Sequence, residues 1–283
     1  MKINKKSGIS LIVLVITIII MIILAAAVIL SLNSSNIVEK ANQAKSNNDY
    51  ANANELKSIA YAKWMLMSDA EQESYGSFSA YADQKLQEAG CPVPEFRYTD
   101  GADGVTGVLD EGDIVEHKES KEVFYVIKTE GDTVSLLSKY NLKADGSEQA
   151  TPEANNPCAF CTTTAWDGAS VAVGDNLNNK TSIRDEATSA VGKAIKYGTS
   201  LGGTGRLMTV EEIEELGASK SNNSTSGCPD WINTTNFWLG SASSTDRVWR
   251  VYGESSDLYV SFFSNDRIFG VRAVIDVSQS SIN

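Results

Sequence analysis

Two cysteines stand three residues apart in Cys158-Ala-Phe-Cys161, the spacing at which one thiol can help the other ionise and support disulfide exchange. Their flanks point elsewhere: Pro157 and polar residues precede the pair, and threonines rather than a helical pattern follow it. Cys91 and Cys228 bring the count to four, an even number that favours structural disulfides in an extracytoplasmic chain and leaves three pairings open. A zinc site drawn from all four would have to close two long gaps in sequence. His117 is the only histidine, so no Ser-His-Asp triad and no two-histidine metal centre can be assembled. Between Glu116 and Lys118 it is expected in a solvated turn. Gly198-Thr-Ser-Leu-Gly-Gly-Thr-Gly205 has the glycines of a phosphate loop but neither the Lys-Ser/Thr ending nor a preceding strand, and it fits a helix end and turn. These residues assign no catalytic, cofactor-binding or metal-binding role, and no enzyme is expected.

Binding chemistry has a better candidate. Residues 246–269 bring together Arg247, Trp249, Tyr252, Tyr259, Phe263, Asp266 and Arg267. Tyr, Trp and Arg dominate binding surfaces because they bury much area at low entropy cost and keep a polar handle. Strand alternation separates Leu258, Val260 and Phe262 from Tyr259, Ser261 and Phe263. One set is expected to fill the core while the other faces a ligand.

The elements that must carry these groups follow from periodicity. Three β-rich runs, at 113–116, 123–128 and 133–138, are separated by turn residues and read as a meander. Residues 69–90 read as one helix with Phe78, Tyr81, Ala82 and Leu86 on one side, closed by Gly90 and Pro92. A second helix spans 182–197, with Ser182 as N-cap and Ile183, Ala187, Val191 and Ile195 four apart. A third opens at Thr209, where Glu212 completes a capping box; its acids read as a solvated face. From Phe237 to Val277 the chain is β-rich. Residues 93–112 hold one proline and four glycines, with scattered acids, and read as a connector. With 42% hydrophobic residues and five tryptophans the chain can bury a real core. Its formal charge of −12 argues against a nucleic-acid partner.

The amino terminus decides location. Residues 1–8 carry three lysines and no acid, and residues 9–32 are 24 uncharged residues in a row. As a helix they are long enough to cross a ~30 Å hydrocarbon core, with Lys2, Lys5 and Lys6 held on the cytoplasmic side. This predicts a single-pass protein of the cell membrane with its carboxy-terminal part outside. Lys5-Lys-Ser-Gly8 followed by Ile9-Ser-Leu-Ile resembles the type IV prepilin leader. The resemblance implies a prepilin peptidase as partner, cleavage between Gly8 and Ile9, and N-methylation of the new terminus, with other pilins as further partners. It departs from the family at Val13, where a glutamate is usual. The helix is expected to run on to about residue 67. Cleavage would remove three lysines and no acids, taking the charge to −15.

Further along, the order of a meander, two helices, a Phe-Trp-Leu-Gly-Ser strand, an aromatic hairpin and a closing strand, with the motifs Arg206-Leu-Met-Thr-Val-Glu-Glu, Phe237-Trp-Leu-Gly-Ser-Ala and Phe269-Gly-Val-Arg-Ala-Val, resembles C-type-lectin-like domains related to the formylglycine-generating enzyme superfamily. The resemblance covers about residues 112–278. It implies an α+β fold of two helices and antiparallel sheets, with ligands taken on the late strands. The Glu-Pro-Asn and Trp-Asn-Asp groups of calcium-dependent lectins are missing: Trp231-Ile-Asn233 lacks the acid, and Asp100-Gly-Ala-Asp-Gly104 has too few oxygen ligands. The paired late cysteines of the enzyme are missing too, since Cys228 stands alone. The organisation expected is a leader at 1–8, a transmembrane and extended pilin-like helix at 9–67, a helix and connector at 68–111, and the lectin-like domain at 112–283. The function expected is an adhesin-like surface protein with an extracellular protein or glycan ligand; the alternative is a minor pilin or pseudopilin with a structural role in a filament.

Overall fold

The structure, a computed structural model, describes residues 18–21, 37–91, 93–99, 109–150, 157–263 and 268–282. The chain divides into two units, residues 1–48 and residues 49–283. Residues 18–21 are helical. The expected membrane crossing falls mostly outside the described residues, and among those described no helix is long and apolar enough to cross a membrane.

Helix α1 (Ile37–Trp64) carries the chain into the second unit, where Ala53, Lys57 and Ala60 are buried on one face. The helix expected over 69–90 is two helices, α2 (Asp69–Tyr75) and α3 (Phe78–Glu88). Gly76 separates them with φ of 77°, a conformation that a helix cannot contain and that glycine adopts without steric cost. Ser77 then caps α3 by accepting the Ala80 amide at 3.2 Å. The aromatic rings of Tyr61 and Trp64 meet those of Phe78 and Tyr81 at centroid distances of 5.3 to 6.0 Å, which fixes α3 against the end of α1.

The fold is α+β with antiparallel sheets. The meander is present as β2 (Ile114–His117), β3 (Val123–Glu130) and β4 (Thr133–Ser138). The expected connector contributes β1 (Phe96–Tyr98), which pairs with β2, so it is partly sheet. With β5 (Thr204–Leu207) and β9 (Ala273–Ser278) these strands form one antiparallel sheet in the order β1-β2-β3-β4-β9-β5. The late strand therefore lies inside the sheet, hydrogen-bonded on both sides. A second sheet holds β6 (Phe237–Ser244), β7 (Arg247–Tyr252) and β8 (Asp257–Phe262) in sequence order.

Alternation on the main sheet feeds two cores. Val134 and Leu136 join Ala273, Ile275 and Trp238 in one; Leu137 and Val274 join Ile213, Phe237 and Leu258 in the other. Each such fully buried large side chain stabilises the fold by about 1.5–3 kcal/mol. The helix expected at 182–197 is also divided. Thr181–Arg184 forms one short helix, α5, and α6 runs over Ala190–Ser200, capped by Ser189. Ser189 is buried; its hydroxyl bonds Ile183 and Glu186 carbonyls and accepts the Gly192 amide, so it organises the turn and starts a new helix. Two shorter helices, α4 (Thr163–Asp167) and α7 (Val210–Glu215), complete the unit. The capping box at α7 is formed as the residues indicate, with Glu212 accepting the Thr209 amide.

Candidate functional site

The late strands put four of the sequence-selected binding residues, Arg247, Trp249, Tyr252 and Tyr259, on the β7–β8 pair, but not on one face of it. In the β7–β8 register Arg247 lies opposite Phe262, Trp249 opposite Val260 and Val251 opposite Leu258. The intervening pairs, Val248 with Ser261, Arg250 with Tyr259 and Tyr252 with Asp257, project from the other side.

On the first side, Trp249 is half-buried against the core that contains Val251 and Leu258. Arg247 is exposed, and its guanidinium stands 4.6 Å from the Phe262 ring centroid. On the second side Arg250 occupies the centre of an aromatic cluster. Its guanidinium carbon is 4.0 Å from the Phe269 centroid and 5.3 Å from those of Tyr252 and Tyr259, and its Nε donates to Ser261 Oγ at 2.7 Å. Phe269 in turn meets the buried Trp238 edge-on at 4.7 Å, so the cluster is seated on the core. Tyr259 remains 44% exposed and Phe262 42% exposed.

The expected division of β8 is thus corrected. Leu258 is buried, but its neighbour on the same side, Phe262, points to solvent, while Ser261 from the other set is buried. Phe263 is not a surface residue waiting for ligand: it stacks on Trp166 at 4.3 Å with ring planes 4° apart and packs on the core. Asp266 and Arg267 lie outside the described residues, as do Gly8 and Ile9. Arg250, Phe262 and Phe269 complete the arrangement and are absent from the sequence-based set. The signal for Arg250 was available, because Arg250 and Tyr252 are two apart and share a face; the signal for Phe269 was not, because it reaches the cluster from a different segment.

The four cysteines are free thiols in this structure. Cys161 belongs to one core and Cys228 to the other, on opposite faces of the main sheet. Cys91 follows α3, and Cys158 sits in an extended bridge to Phe269. Burial raises the thiol pKa of Cys161 to about 12 and of Cys228 to about 11, and raises that of Cys158 as well. Thiols so desolvated stay protonated and are poor nucleophiles. His117 is buried, not solvated: it closes β2, its ring meets Phe96 at 5.1 Å, and Nδ1 accepts the Ser120 amide at 3.1 Å. Glu212 is likewise not on a solvated face. It receives both terminal nitrogens of Arg206 at 2.7 and 2.8 Å, while Arg206 Nε donates to Asp276 at 2.6 Å. Burial alone would lower the Arg206 pKa, but the two carboxylates outweigh it and hold the guanidinium charged.

Among the described residues, no three His, Cys, Asp or Glu side chains come together as metal ligands. Trp231 and Asn233 have structural roles, Trp231 stacked on Tyr125 at 4.8 Å and Asn233 bonded to Thr225. Compared with protein-family models, with curated proteins and with solved structures, the chain matches none.

Proposed function

We propose that this chain is a membrane-tethered surface protein whose α+β unit is a ligand-binding head, with the β7–β8 ribbon as its binding face. One observation carries the reading. The outermost strand of the small sheet leaves Tyr259 and Phe262 more than two-fifths exposed beside the guanidinium groups of Arg247 and Arg250, in a unit whose other described aromatics are buried or half-buried. Exposed aromatic and arginine side chains clustered on a packed base have the composition of binding hot spots. The basic leader and the uncharged run behind it support tethering. The order of elements, with a closing strand inside an antiparallel sheet and a separate sheet of late strands, supports the C-type-lectin-like reading of the head.

The test uses the full-length protein in detergent against arrays of extracellular proteins and glycans. Tyr259→Ala combined with Arg247→Ala is expected to weaken binding about tenfold or more, with Tm nearly unchanged. Wild-type binding by the double variant would remove the ribbon from the site. The second reading, a minor pilin, rests on the residues around Gly8 and is favoured if the protein fractionates with sheared surface filaments.

A further inference from the structure

Among the described residues, the small sheet ends in an edge strand, β8, that is paired on its outer side only at its start. Across the β7–β8 ladder Tyr259 pairs with Arg250 and Ser261 with Val248, while the Leu258 amide points away from β7 and donates to the Asn223 carbonyl at 3.0 Å. Backbone groups alternate along a strand, so the N–H and C=O of Val260 and Phe262 share the outward direction of Leu258. Neither residue has an outward backbone partner among the described residues.

The chain itself shows what this edge accepts. Ser224 lies antiparallel against Asp257, with the Thr225 amide donating to Ser256 at 2.8 Å and the Leu258 amide bonded to Asn223. Pairing stops there, because Asn223 turns with φ of 49° and Ser219 and Ser224 close on each other as a tight hairpin. The strand continues beyond that single bridge with its hydrogen-bonding groups facing out.

The side chains at this edge define the occupant. An added strand would place alternate side chains beside Phe262 with the Arg247 guanidinium above it, and beside Tyr259 on the opposite side. The first position favours a carboxylate and the second an apolar side chain. A second copy of this chain would instead bring another Arg247 and Arg250 to the joined sheet, where like charges oppose association.

We infer that the outer edge of β8 at Val260 and Phe262 is a strand-addition site for an extended acidic peptide segment of a partner protein. This rests on the reading of β7–β8 as the binding face and narrows it from a surface to an edge.

The experiment measures anisotropy of a labelled peptide of alternating valine and glutamate with the full-length protein. Val260→Pro removes one outward N–H and leaves the bonds to β7 intact, and proline is tolerated on an edge strand. The same peptide N-methylated along one edge removes the pairing from the ligand side and does not depend on how the variant folds. Both changes are expected to weaken binding about tenfold or more. Hydrogen exchange at Val260 and Phe262 should slow when the peptide is added. No binding of the parent peptide, or equal binding after N-methylation, overturns strand addition. If the Tyr259→Ala, Arg247→Ala variant still loses its array ligands in that case, the binding face stands and only the edge is lost. If that variant binds normally as well, the face itself is wrong. Dimerisation sensitive to Val260→Pro would assign the edge to a second copy and also overturn the proposal.

Discussion

The two sheets draw on similar residues and treat them differently. In the main sheet β4 is buried from Val134 to Ser138 and β9 from Ala273 to Ile275, because each strand has neighbours on both edges and a core on both faces. Its charged groups are bound to each other, as in the Arg206, Glu212 and Asp276 network with Ser135. In the small sheet, burial fades outward from β6, which is buried over most of its length, to β8, where Tyr259 and Phe262 reach solvent. Aromatic content alone therefore does not separate core from binding surface. Position in the sheet order does, since an edge strand keeps side chains and backbone groups that no neighbour has claimed.

The comparison breaks most completely at Gly205, in the main sheet. A Cβ there would stand 1.9 Å from the Ala194 carbonyl oxygen, on the helix α6 that packs against β5. Gly205→Val is expected to prevent folding, a loss above about 4 kcal/mol, seen as absent near-UV dichroism. Arg206→Ala should come next, at about 3–5 kcal/mol in urea denaturation, because it strands Glu212 and Asp276 with their charges uncompensated. If either change were tolerated like a surface substitution, the contrast between the sheets would fail.

A smaller effect tests the helical end of the unit. Lys57 is buried, with its ammonium 3.4 Å from the Ile282 carbonyl. Burial, helped by nearby Lys118 and opposed by Asp83, lowers its pKa from 10.5 to about 8. Below the folded value the lysine is charged in both states and the fold bears the desolvation cost. Between about 8 and 10.5 the unfolded chain binds the proton more tightly, so stability rises with pH, by at most about 3 kcal/mol. Lys57→Met should abolish that rise in a series of Tm measurements across this window. The smallest effect on stability belongs to the ribbon. Tyr259→Ala with Arg247→Ala is expected to shift stability by less than about 1 kcal/mol, and a larger loss would place these residues with the core.

Local residues determined local elements. The three meander strands, the Thr209 and Glu212 capping box and the amino-terminal uncharged run depend on neighbours within a few positions, and each is legible without a fold. The ribbon itself was legible for the same reason, as two aromatic runs with period-two alternation. Tertiary structure decided which of its side chains are free. Phe263 is taken by Trp166, and Arg250 is enclosed by Phe269, contacts made across segments far apart in the chain. The same holds for His117 against Phe96, for Glu212 against Arg206 once β5 is placed, and for cysteines assigned to opposite faces of one sheet. Periodicity states that a strand has two faces; only the packing of distant elements settles which face is covered, because burial depends on what arrives from elsewhere in the chain.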